Sequence, residues 1–211
     1  MRYPDPDDQR SMANFASTYV RKRLEGFAKD IKICLRSIPH PTERGKPTVA
    51  YFPALALCCA TLDDLSSLYD GRIRRGVHPP TVKAYAATYL PQPDYSDEVV
   101  DVLIGSLRHS TAHRGIAGRV WVERQNKHAT GRRLGWKVYA GAGRPAIKIV
   151  QDSGETFPAP WPCLYTHRTH VHLASLAHDL RESGTRFSKD LESNPELVNR
   201  FIACMREVFP T

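Results

Sequence analysis

Residues 95–123, YSDEVVDVLIGSLRHSTAHRGIAGRVWVE, hold the switch that decides the fold. As far as Ala112 the apolar residues Val100, Leu103, Ile104 and Leu107 return at three- and four-residue steps, the spacing of one buried helix face. Asp94 or Ser96 is placed to cap that helix, predicted over Asp97 to Ala112. Asp97 and Glu98 fall in its first turn, where carboxylates meet the positive end of the helix dipole. Gly115 and Gly118 end it. Beyond them the period drops to two. Val120 and Val122, then Trp136 and Val138, alternate with polar residues, and Ile147 and Val150 mark a third strand. The segments NKHATGRR and AGAGRP read as the turns between them, so residues 119–152 are predicted to form a three-stranded antiparallel meander.

Upstream, Met12, Phe15, Ala16, Tyr19, Val20, Leu24, Phe27, Ile31, Cys34, Leu35 and Ile38 recur at helical steps, so residues 10–38 read as one long amphipathic helix. Asp7 or Asp8 caps it, and Ile38-Pro39 closes it because the residue before a proline disfavours the helical region. The segment VAYFPALALCCATLDDLSSLYDG is apolar nearly all round until Thr61, which marks an enclosed central helix stopped by Gly71. A short helix from Thr81 to Leu90 ends at Pro91. Downstream, Pro158, Pro160 and Pro162 make an extended linker. Two helices follow, His167 to Ser183 and Pro195 to Val208, the second capped by Asn194. The expected architecture is mainly α: a helical bundle with a small antiparallel β-meander inserted before the last helices. It forms a single domain over 1–211, with a helical core at 10–115, a basic meander at 119–152 and C-terminal helices at 165–209. Strands are expected only between about Val120 and Asp152.

The chain has 211 residues, 41% hydrophobic and 25% charged, a balance that suits a globular protein and excludes disordered and collagen-like classes. No apolar run approaches the roughly 18–20 residues of a membrane span, and the opening MRYPDPDDQR lacks the apolar stretch of a signal peptide. Cys34, Cys58, Cys59, Cys163 and Cys204 are odd in number, and two are adjacent in an apolar segment. They read as reduced thiols of a cytoplasmic protein. The net charge of +8 is segregated: residues 114–148 carry nine Lys or Arg and one acid, while the remainder is neutral. Such a block points to an anionic partner, with nucleic acid first. The residues expected to bind RNA are Arg114, Arg124, Lys127, Arg132, Arg133 and Lys137. Trp121, Trp136 and Tyr139 lie among them, to stack on unpaired bases or, the preferred reading, to anchor the sheet on the bundle.

The densest polar cluster is LRHSTAHRG, residues 107–115. Histidine is the side chain best suited to move a proton near neutral pH, and arginine offers a fixed fork of donors that fits phosphate oxygens. Together they are the minimum equipment for splitting a phosphodiester without a metal. At about 100° per helical residue, His109 and His113 lie about 40° apart, whereas Arg108 and His113 lie about 140° apart. A break in the helix, or a second copy crossing it on a two-fold axis, brings the latter pair together. The plainer reading is that a helix C-terminus attracts Arg and His to its last carbonyls.

Arg108-His-Ser-Thr-Ala-His113 resembles the Arg-x(4–6)-His motif of the HEPN superfamily, including the polar residue that often follows the arginine. The long first helix, the apolar second helix and the acidic start of the motif helix are also similar, over roughly residues 10–115. The resemblance implies an all-α core that dimerises, so that two motif helices compose one RNA-cleaving site. It implies that His113 promotes attack of a ribose 2′-OH on the adjacent phosphate, that Arg108 stabilises charge on that phosphate, and that His109 assists or holds the pair. The expected function is therefore a metal-independent endoribonuclease acting as a toxin, an antiphage factor or an RNA-processing enzyme. RNA and a second copy of the chain are its expected partners, together with an antitoxin or a nucleotidyltransferase. The alternative is a non-catalytic HEPN-like domain that binds RNA or protein.

Two other chemistries weigh less. His109 and His113 have the i, i+4 spacing of two metal ligands, but catalytic zinc needs a third protein ligand, and no glutamate lies between them. No metal and no cofactor is expected. His167, His170, His172 and His178 add imidazoles, yet the spacing of two between His170 and His172 suits a strand or a helix start better than a shared helical face. Cys58 and Cys59 sit in the most apolar helix, where a thiol behaves as a small hydrophobe.

Overall fold

Asp8 opens the first helix: its carboxylate accepts the Ser11 backbone N–H at 3.1 Å and the Ser11 hydroxyl at 2.6 Å, the work of an N-cap. The computed structural model describes residues 4–5, 8–36, 38–39, 47–72, 79–108, 121–125, 128–156 and 163–209. Helix α1 runs Gln9–Cys34 and buries Met12, Ala16, Val20, Leu24 and Ile31 along one stripe, as its periodicity predicts. It ends before the proline, and Ile38–Pro39 (β1) pairs antiparallel with Pro47–Thr48 (β2) instead of extending it. Helix α2, Tyr51–Asp70, is the enclosed one, burying Ala54, Leu55, Cys58, Cys59, Leu62, Leu65 and Leu68. Gly71 terminates it in the left-handed region at φ +80. A Cβ there would stand 2.9 Å from the Cα and carbonyl oxygen of Arg200, so conformation and space both require glycine.

Helix α3, Pro79–Tyr89, is followed by α4, Asp97–Val102, whose cap is Ser96, accepting from the Val99 backbone N–H. Lys83 ties the two together through Asp101 at 2.8 Å and Asp97 at 3.7 Å. The motif helix is not regular as far as Ala112: from Leu103 to Arg108 it continues as a π-helix. Its i→i+5 ladder turns each residue through less than an α-helical step. Residues 109–113, across which the 40° and 140° offsets are expected, lie outside the described residues. Helices α5, Leu173–Ser193, and α6, Pro195–Val208, complete the bundle, with Asn194 capping α6 as expected. α5 packs mainly on α1, closely enough that a Cβ on Gly184 would meet Leu24 Cδ1 at 2.6 Å. Tyr69, Tyr85, Tyr89 and Phe187 pack edge to face or tilted between α2, α3 and α5, with ring centroids 5.1–6.2 Å apart. Cys58, Cys59 and Cys204 are buried, and burial pushes the Cys58 thiol up to about 12.

The sheet departs from the expected meander. It has four strands: β3 (Trp121–Gln125), β4 (His128–Tyr139), β5 (Ile147–Thr156) and β6 (Cys163–His172). Their spatial order is β3-β4-β6-β5, so β4 and β5 are not neighbours. β6 inserts between them, parallel to β4 and antiparallel to β5. Three expectations fall with this. Residues 163–172 are a strand and not the start of a helix, so α5 begins only at Leu173. Strands extend past Asp152 as far as His172, and the β1–β2 pair stands well before Val120, so strands are not confined to the stretch from Val120 to Asp152. Most of NKHATGRR is strand β4, not turn. The reason is shared. A strand bonded on both edges satisfies its backbone through partners remote in sequence, and no local period announces them.

Leu134, Ile147 and Val171 are buried on the sheet's inner side, and Trp136 and Val138 pack there against the helices. Trp136 meets Phe52 of α2 edge-on at 5.6 Å, so this tryptophan anchors the sheet as anticipated. A second tie is polar. The Asp179 side chain, 4% exposed in α5, accepts Arg144 Nη1 on both oxygens at 2.7 Å and the Tyr95 hydroxyl at 2.9 Å. Among the described residues no helix is long and apolar enough to cross a membrane.

Candidate nucleic-acid interface

Strand alternation decides what the basic block presents. In β4 the even positions Leu134, Trp136 and Val138 face the bundle, so Arg133, Lys137 and Tyr139 face away from it. In β6, Thr169 and Val171 are buried, and Arg168, His170 and His172 share the outer face. In β5, Ile147 is buried, and Lys148 is exposed on the outer face. The register fixes which of these stand side by side. Lys137 lies opposite His170 across β4–β6, and Lys148 lies opposite His170 across β5–β6. The three form a row straight across the sheet. Tyr139 lies opposite His172 in the next row.

Ring contacts fill in the surface. His172 stacks on Tyr139 with centroids 4.7 Å apart and planes 11° apart, and His170 tilts against the same tyrosine at 5.6 Å. Gly143 covers the His172 ring: a Cβ there would lie 2.4 Å from it, so only glycine lets the backbone pass. Lys137 Nζ stands 5.2 Å from the Tyr139 ring centroid. Arg168 binds Asp152 at 3.1 Å and lies over the Tyr165 ring at 4.9 Å. His170 is held below its ordinary histidine value, first by burial and then by the charges of Arg168 and Lys137. Its Nε2 and the Nδ1 of His172 are buried without a hydrogen-bond partner.

The residues expected from the sequence divide accordingly. Arg132 points to the inner side, where it donates to Glu98 Oε1 of α4 at 2.6 Å, so it is a brace between sheet and motif helix. Arg144, counted in the basic block, is likewise engaged by Asp179. Arg133 and Lys137 are exposed on the outer face, as a binding role needs. Arg124 belongs to β3, opposite Ala129, and Arg108 ends the π-helical turn. His109, His113, Arg114 and Lys127 lie outside the described residues, as does Gly115 to Gly118, the expected end of the motif helix. Lys148, Arg168, His170 and His172 join the face without having been expected there. The signal for three of them was the Arg-Thr-His-Val-His alternation at 168–172, which a helical reading of the segment hid.

Among the described residues no three His, Cys, Asp or Glu side chains gather as metal ligands. Compared with known proteins, the chain matches no family model, no curated protein and no solved structure.

Proposed function

We propose that this protein binds single-stranded RNA on the outer face of its sheet and cuts it without a metal, in the manner of HEPN endoribonucleases. The observation that carries the binding half is the outward placement of Arg133, Lys137 and Lys148 around Tyr139 and two imidazoles, in a layout where Arg132 and Arg144 are consumed internally. Cations that follow a backbone, interleaved with rings on which bases stack, are the usual means of holding an unpaired strand. The cleavage half rests on the Arg108–His113 sequence pattern. Its support is that the helix ending at Arg108 is braced to the same basic sheet through Glu98 and Arg132. In this reading His113 takes the proton from a ribose 2′-OH as its oxygen attacks the neighbouring phosphorus. The 5′-oxygen leaves, and Arg108 stabilises the charge on the phosphate. A second copy of the chain completes the site across a two-fold axis.

Incubation of RNA in EDTA tests this. The expected products carry a 2′,3′-cyclic phosphate and a 5′-hydroxyl, and DNA survives because it lacks the nucleophile. His113→Ala should slow cleavage by about 10²- to 10⁴-fold, and Arg108→Ala by a comparable factor. EDTA-sensitive cleavage, equal cleavage of DNA, or RNA binding with no cleavage would each overturn the catalytic reading.

A further inference from the structure

The outer sheet face carries Arg133, Lys137, Lys148 and Arg168, and one of its rows sets three basic side chains in line. His170 sits between Lys137 on β4 and Lys148 on β5, each directly opposite it in register. Adjacent strands lie about 4.8 Å apart, so the two lysine-bearing positions are roughly 10 Å apart with the imidazole midway. The charged and titratable groups around the ring are Lys137 and Tyr139 from β4, Lys148 and Asp152 from β5, and Arg168 and His172 from its own strand. Asp152 is the only acid among them, and it is already paired with Arg168 at 3.1 Å. Among the described residues, the ring therefore stands amid cations with no free anion beside it. Its Nε2 is buried against its neighbours with no acceptor to receive a proton's hydrogen bond. Both features favour the neutral ring in the unliganded protein.

An anion changes that balance. Flexible ammonium groups on either side can close on a single phosphate between them, and its charge then lies over the imidazole. We propose that the row Lys137–His170–Lys148 is a phosphate-binding subsite for single-stranded RNA, in which His170 takes up a proton as the phosphate seats and so couples RNA affinity to pH. This rests on the RNA-binding half of the reading above and not on its cleavage half.

The sign follows from linkage. His170 starts with a depressed pKa and gains a negative neighbour on binding, so the complex holds more protons than the free protein near neutral pH, and affinity rises as pH falls. The probe is a fluorescent 2′-O-methyl oligouridine, which carries the phosphates but cannot be cut through its 2′-oxygen. Anisotropy titrations at constant ionic strength should show affinity increasing on the order of tenfold from pH 7.5 to 5.5. His170→Asn should flatten this dependence, read as the ratio of its affinities at pH 5.5 and pH 7.5. Lys137→Gln with Lys148→Gln should weaken binding at every pH. As a check that needs no variant, the NMR titration midpoint of the His170 Cε1 proton in the unaltered protein should move upward by about one pH unit when the oligomer saturates. An unaltered pH slope in His170→Asn, an unmoved His170 midpoint, or no binding of the oligomer would overturn the proposal. Polyglutamate shifting the midpoint as far as the oligomer does would overturn the assignment to RNA. Because this probe resists cleavage, a failed nuclease assay leaves the subsite test unaffected, and the converse also holds.

Discussion

Neutralising Arg133 and Lys137 together should do to RNA binding what neutralising their neighbour Arg132 does not. All three lie within six residues of one basic strand, and charge alone makes them equivalent. The structure separates them by strand parity: Arg133 and Lys137 are exposed on the outer face, and Arg132 turns inward to Glu98 at 2.6 Å. Each phosphate that a protein cation neutralises on a single strand contributes about 0.7 to the log–log slope of affinity against salt. Arg133→Gln with Lys137→Gln should therefore flatten the slope by about 1.4. Between 50 and 200 mM salt, that difference amounts to about sevenfold in relative affinity. Arg132→Gln should leave the slope within error of the unaltered protein. What it removes is a part-exposed ion pair worth about 0.2–1 kcal/mol, with side chains 30% and 51% exposed. That change should lower the melting temperature by at most about 2–4 °C in a chain of this size. Anisotropy of a cleavage-resistant oligomer across a salt series, read beside a thermal melt, measures both effects. If Arg132→Gln flattens the slope as much as the double variant, the parity argument is wrong. If neither does, the nucleic-acid surface is not on this face.

Two further outcomes concern the frame that holds the face. Asp179→Asn removes a buried charge that accepts both Arg144 and Tyr95, and it should cost about 1–3 kcal/mol in urea unfolding followed by tryptophan fluorescence. A cost near zero would mean that the Arg144 loop is held by something else. Gly71→Ala forces a side chain into the left-handed region and against the Arg200 backbone, so it should destabilise by about 1–3 kcal/mol with an unchanged denaturant slope. A neutral or stabilising result would refute the close approach of α2 to α6.

The helices were legible because their signals are local. Asp8, Ser96 and Asn194 stand where caps must stand, and each accepts a backbone N–H of the first turn it precedes. The apolar stripe of α1 and the near-continuous apolar run of α2 became one buried face and one enclosed helix, since a 3.6-residue period has a single geometric solution. The basic block between residues 114 and 148 could be counted without any fold. What the chain's order could not convey was pairing. β6 reads locally as a polar helix start, and it becomes a central strand only because β4, some thirty residues earlier, and β5 bond to its two edges. Its alternation then carries a different meaning: Thr169 and Val171 go to the core, and Arg168, His170 and His172 go outward. The π-helical turn before Arg108 is likewise a matter of the backbone ladder, which side-chain spacing does not report. Composition determined that this protein carries a segregated positive charge. Cross-strand register decided which cations share a face, which are spent on Glu98 and Asp179, and which histidine they enclose, because neighbours across a sheet are set by hydrogen bonds between segments distant in sequence.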